Sequence, residues 1–323
     1  MFGAFHKKSS KHRLYIKRNE GGRGLISVEE CVRSAEIGLA EYVLGSEEWM
    51  LKAVSESMSV EETKMEYLER VKEERINTLM EKKNHGHWLK IVKDVAHERS
   101  WQWVRAGYLS KSAESFLFAA QEGSIATRYW RATITKEQID TKCRVCGESN
   151  ETVGHLASSC STLRQKEFKR RHDRMGLRVY WELCRKYGLK CADVWYKEVP
   201  DEVRKNEDES VEIWWDKKFE TGKSLEHNRP DVVVLDHKGK ECLIVDFAVP
   251  WDANVEKTEK EKKSKYAPLA VEVRKHYRMV TKVIPVVVGS LGVVSSQMVG
   301  NLKKLGIPDV LGGLQTSAII GTQ

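Results

Sequence analysis

Two groups of residues in the 323-residue chain have the types and spacing to do chemistry. The first is Cys143-x2-Cys146-x8-His155-x4-Cys160. Two residues between cysteines let both thiolates reach one tetrahedral centre, and Gly147 lets the backbone fold round an ion. The spacing from His155 to Cys160 is expected to set the second pair about one helical turn apart. Four protein ligands close a site, so the ion expected is a structural Zn²⁺. The second group is acidic. Asp231 follows Pro230 at a strand start, and Asp246 lies inside the apolar run Leu243-Ile244-Val245-Asp246-Phe247-Ala248-Val249. A carboxylate among strand hydrophobes costs several kcal/mol unless it is paired or metal-bound. Two acids converging at one sheet edge can hold Mg²⁺, a hard cation that takes oxygen ligands. Such an ion activates water and offsets charge on a phosphate.

A phosphate-cleaving site of this kind usually adds a lysine to stabilise the pentacovalent phosphorus. In the common nuclease pattern it lies two residues after the second acid, where this chain has Ala248. The following segment offers a replacement. At 100° per residue, Val255, Tyr266, Leu269 and Val273 share one helix face. Lys262 falls in the middle of that face, Lys265 about 60° away at its edge, and Lys263 about 100° away. Lys262 is the first candidate and Lys265 the second. The alternative is a lysine whose stem lies on apolar surface while its charge reaches water.

The elements that must position these groups follow from periodicity. Val232–Leu235, a Lys238-Gly239 turn and Cys242–Val249 read as a β-hairpin. A charged helix over Asp252–Tyr277, which Pro268 can kink, leads to a strand at Val283–Val288 and a closing helix at Val293–Leu305. Pro285 argues against a central place for that strand. The fold class expected is α/β, with four parts: a helical region 1–135, a knuckle with a basic strip 136–175, a mixed connector 176–225 and a small α/β domain 226–323. In the helical part, Ser27 and Glu30 read as a capping box before Val28, Cys31, Val32 and Ala35. A second amphipathic helix is expected over Glu61–Lys82. Trp101, Trp103, Tyr108 and the run Phe116–Ala120 read as core, with base stacking the alternative. Behind the knuckle, Arg164, Lys169, Arg170 and Arg171 form either a solvated helix face or a phosphate-contacting strip. The net charge of +8 favours polyanionic partners. Seven cysteines, an odd number, argue against a disulfide framework. Neither a signal peptide nor an apolar stretch of membrane-spanning length is evident.

These residues resemble a known family. The order is a helical region, a Cys-Arg-x-Cys knuckle with Glu151-Thr152 and His155, then Arg229-Pro230-Asp231, Asp246, and Glu261-Lys262-x-x-Lys265-Tyr266. It looks like the C-terminal half of non-long-terminal-repeat retrotransposon proteins that carry a restriction-like endonuclease. Leu14-Tyr15-Ile16 with Gly21-Gly22-Arg23-Gly24-Leu25 is similar to the segment after the polymerase thumb in that family, and Ala119-Ala120-Gln121 is also family-like. The resemblance implies a PD-(D/E)xK fold that nicks target DNA so that the freed 3′ end primes reverse transcription. It implies that Asp231, Asp246 and Lys262 or Lys265 carry the cutting, and it adds Arg229 to the expected nucleic-acid contacts. Target DNA, element RNA and the polymerase part of the same element are the partners expected, and the nucleus the expected location. No Tyr/Phe-x-Asp-Asp motif occurs in the chain, so copying RNA is not expected of it. A truncated copy, a separately expressed fragment and a derived host gene all agree with that departure. The rival expectation is a nucleic-acid-binding remnant that keeps the fold without cleavage.

Overall fold

The computed structural model describes residues 9–107, 109–222 and 224–321. Tyr108 and the first eight residues lie outside them. Five strands form one mixed sheet: β1 Val203–Lys205, β2 Val211–Trp215, β3 Val232–Asp236, β4 Glu241–Ala248 and β5 Val280–Val287. They are adjacent in that order. The first four are antiparallel, and β5 joins β4 in parallel. The longer helices are α1 Val28–Leu44, α2 Lys64–Glu81, α3 Lys111–Gln121, α4 Lys169–Lys186, α5 Val255–Tyr277, α6 Ser296–Leu305 and α7 Leu311–Ile320. The protein is therefore of mixed α/β class.

Both faces of the sheet are covered, which is why β3 and β4 read as continuous apolar runs. On one face Tyr266, Leu269, Ala270 and Val273 of α5 pack on Val233, Leu235, Cys242 and Ile244. On the other, α4, α6 and α7 pack on Val232, Val234, Leu243, Val245 and Phe247. α5 runs unbroken through Pro268, and the same face stays on the sheet either side of it. β5 lies at the sheet edge, where Pro285 can be accommodated because one side of the strand needs no partner.

Residues 176–225 are not a connector. They supply most of α4 and both β1 and β2, which extend the sheet beyond the hairpin. α7 is a further element that the sequence reading did not contain. In the N-terminal part, Trp101, Trp103, Leu117 and Phe118 are buried, as core residues should be. Their cluster includes Val255, Val287, Leu291 and Val293, so this helical part packs on the sheet-bearing part. α1 differs from expectation. Val28 and Val32 are 79% and 53% exposed, and Cys31 is exposed, so that stripe covers nothing. Ser27 caps α1 by accepting from Glu30 N–H, and the full reciprocal capping box is at Thr63 and Glu66 of α2. Among the described residues no helix is long and apolar enough to cross a membrane.

Candidate metal centre and acidic site

The cysteine cluster gathers as its spacing requires. One ligand atom from each of Cys143, Cys146, His155 and Cys160 can be chosen so that all lie within 4.8 Å of one another. Tetrahedral zinc with sulfur and nitrogen ligands wants neighbouring ligand atoms roughly 3.3–3.8 Å apart, so the four are close enough to bind a metal. Gly147, at φ +72°, makes the turn, and its N–H donates to Cys143 O at 2.7 Å. Cys146 Sγ is 3.3 Å from His155 Nε2. Backbone N–H groups of Glu148 and Ser149 help to draw the Cys146 thiol down to about 6, while burial pushes Cys160 up. His155–Ser159 forms a wide π-type turn, with Cys160 N–H donating to His155 O, in place of the expected ordinary helical turn.

Glu151 ties the cluster to the rest of the protein. Its buried carboxylate accepts from Arg128 N–H at 3.0 Å, Arg144 N–H at 3.0 Å and the Arg144 guanidinium at 2.8 and 2.6 Å. The bidentate Arg144 is the largest influence that brings this acid down to about 2.

The acidic site sits at the open end of the β3–β4 hairpin. The ladder pairs Val232 with Val245. Asp231 lies one residue before this ladder and close enough to Asp246 for its charge to act on it. Asp246 points to the α5 side, while the Asp231 carboxylate reaches His172 of α4. Asp246 is 1% exposed. Its carboxylate meets the Lys262 ammonium in an ion pair, and Lys265 Nζ lies 3.9 Å from its Oδ1. Asp246 Oδ2 nonetheless makes no hydrogen bond of regular geometry. Burial, then the Asp231 charge, raises the Asp246 carboxyl, against the lowering pull of Lys262. Asp231 goes the other way: burial opposes its charge, but His172 and the Phe247 N–H hold it down. Phe247 N–H donates to Asp231 Oδ2 at 2.7 Å. His172 Nε2 lies 3.2 Å from Asp231 Oδ2, and its Nδ1 lies 3.1 Å from Asp173 Oδ1. Burial works against the imidazolium, yet the two acids raise His172 to about 9.

The structure thus brings Asp231, Asp246, Lys262 and Lys265 together, and it adds His172, which the sequence reading did not single out. The basic strip divides. Arg164, Lys169 and Arg170 are exposed, with Arg170 paired to Glu167 at 2.9 Å. Arg171 corrects the sequence reading: it is 2% exposed and donates to Ala157 O at 2.8 Å and Val249 O at 3.2 Å. A side chain committed to internal carbonyls is not placed to contact a phosphate. Arg229 is exposed and donates to Asp216. Beside α4 an open groove of about 870 Å³ is lined by Lys166, Lys169, Arg170, Arg174, Trp195 and Tyr196 among others. It reaches Asp173, the partner of His172. The chain matches no family model and no curated protein.

Proposed function

We propose that the chain is a Mg²⁺-dependent DNA endonuclease of the PD-(D/E)xK kind, with a structural Zn²⁺ in the knuckle, as the retrotransposon-like motifs imply. The observation that carries this reading is Asp246, a buried carboxylate in an apolar strand, close to Asp231 and met by a lysine from the next helix. The donor set fits Mg²⁺: the converging groups are carboxylate oxygens, and Asp246 Oδ2 lacks a regular hydrogen bond. The chemistry supplied by bound Mg²⁺ is activation of the attacking water and neutralisation of charge on the phosphate. The chain's own residues do the rest. His172 and the Phe247 N–H fix the Asp231 carboxylate. Lys262 puts a positive charge where the pentacovalent phosphorus would form, in place of the lysine missing at position 248. Arg170, Lys169 and the groove beside α4 would hold the DNA backbone by its phosphates. In the knuckle, three thiolate sulfurs and one imidazole nitrogen in a closed arrangement suit zinc and leave no open position for substrate. With DNA as the proposed substrate, the nucleus is the location this reading expects.

The test is nicking of supercoiled plasmid with Mg²⁺ and with chelator. Nicking that needs Mg²⁺ and both aspartates supports the proposal. DNA binding without Mg²⁺-dependent nicking favours the second reading, a non-catalytic nucleic-acid-binding remnant, for which the groove beside α4 would suffice.

A further inference from the structure

A cavity of about 540 Å³ lies away from the acidic site, where Thr152, Val153 and Gly154 of the knuckle meet the helical part. Its wall includes Trp88, Trp130, Trp251 and Tyr129, with Lys83 and His87 also lining it. Three chain segments far apart in sequence supply these rings. Trp88 belongs to the short helix His87–Val92, Tyr129 and Trp130 to Arg128–Ile134, and Trp251 follows β4. Gly154 of the knuckle lies against the Trp251 ring, so that a Cβ there would sit 3.4 Å from it.

The polar groups divide into those engaged within the protein and those at the surface. The amide and hydroxyls in the wall have internal work. Gln121 donates to Leu291 O, Thr127 Oγ1 accepts from Trp130 N–H, and Thr133 donates to Tyr129 O. What remains for a ligand in the wall is apolar surface, the four rings together with Ile91, Ile125, Ile134 and Val153. Lys83 is exposed and makes no ion pair with a described residue. Tyr129 is 40% exposed, so part of its ring is open to solvent. A flat aromatic body inside and an anionic group at a lysine is the chemistry of a nucleotide. Stacking on aromatic side chains is how unpaired bases are held, and a point-charge lysine is a common phosphate partner.

We propose that this cavity is a nucleotide site, with the base against the aromatic wall and the phosphate at Lys83. The same chemistry is offered by a free mononucleotide and by one unpaired nucleotide of a strand passing the knuckle. The site does not depend on cleavage at Asp246.

The experiment uses 2-aminopurine, whose fluorescence is quenched when it stacks. One arm titrates the full chain into 2-aminopurine riboside monophosphate. The other uses a short single-stranded oligonucleotide carrying one 2-aminopurine. Saturable quenching is expected in at least one arm, and which arm responds names the source. Tyr129→Ala should weaken the apparent affinity about 5- to 150-fold, the range a lost base–aromatic stack gives, while Tyr129→Phe retains it. Lys83→Glu should weaken it about tenfold or more. Both positions are at the surface, so the variants should keep the wild-type circular dichroism. Absence of quenching in both arms overturns the site. Equal quenching by wild type, Tyr129→Ala and Lys83→Glu overturns it too.

Discussion

Asp246 and Lys262 are a matched pair at unequal depth: the acid is buried in the sheet, and the lysine reaches it from the helix above. Removing each should therefore have opposite effects on stability. Lys262→Ala leaves the buried carboxylate with only the more distant Lys265 and should cost roughly 1–3 kcal/mol. Asp246→Ala removes the buried charge and frees Lys262 to turn toward water, so the fold should be little destabilised, or even stabilised, without metal. Both changes should abolish nicking, and Asp246→Ala should leave DNA binding nearly intact, because basic surface supplies most of the affinity. Urea unfolding with chelator and a plasmid assay read the two properties separately. Asp236, whose carboxylate accepts from Gly239 N–H at the hairpin turn, is the control. Asp236→Ala should cut normally. Full nicking by Asp246→Ala would sink the catalytic assignment.

The knuckle and the hairpin were legible at the scale of elements because their signals are local. Cysteine spacing fixes a turn, paired apolar runs round Lys238-Gly239 fix a hairpin, and the 100° step put Lys262 on the sheet-facing side of α5. Other elements carried weak local signals. α7 is almost wholly buried, so its sequence has no polar face to set a period. β1 is three residues long and gains its stability from β2, not from its own sequence. α4 is different: its stripe, Met175, Val179 and Leu183, stands out at four-residue spacing among arginines, but the sequence reading took only its charges. Extending that four-residue spacing back one step reaches Arg171, and His172 lies three residues before Met175. A helical wheel would have moved both inward. For the knuckle as a unit, Cys146→Ser should lower zinc content well below the expected one per chain, and chelation should loosen the surrounding segment. Unchanged metal content would remove the assignment. Its tie to Arg128–Ile134 should depend on pH. Glu151 is held at about 2, below its ordinary 4.5, by Arg144 first. A lowered acid contributes stability that is present above about 4.5 and lost as pH falls toward about 2. Arg144→Ala should therefore be less stable than wild type at neutral pH, and the gap should close over that acid window. Because acid also releases a thiolate-bound metal, the quantity to follow is the difference between the two proteins' melting temperatures in the same buffers. A gap independent of pH would mean that Arg144 acts by packing alone.

At the scale of the whole molecule, one helix has to connect parts that a reading by segments kept separate. α4 packs on the sheet, sends His172 to Asp231, and sends Arg171 both to the knuckle turn at Ala157 and to Val249 just beyond β4. Lys169 and Arg170, next to these inward-facing residues, are exposed. Adjacent basic residues on one helix should therefore fail in different ways. Arg170→Ala should leave unfolding unchanged within about 0.5 kcal/mol, as surface substitutions usually do. It should weaken binding to all DNA sequences alike and reduce the slope of log K against log salt by about 0.9 for duplex DNA. Arg171→Ala removes a buried guanidinium and leaves two carbonyls without their donor. It should cost roughly 2–3 kcal/mol of stability, since hydrogen bonds to charged groups are the stronger kind. Its salt slope should match wild type wherever the protein remains folded. Denaturant melts and salt titrations by fluorescence anisotropy, run on both variants, separate the two roles. If Arg171→Ala instead lost about one unit of slope at unchanged stability, Arg171 would have to leave its buried position to meet DNA, and α4 would not be the rigid link between knuckle and sheet described above.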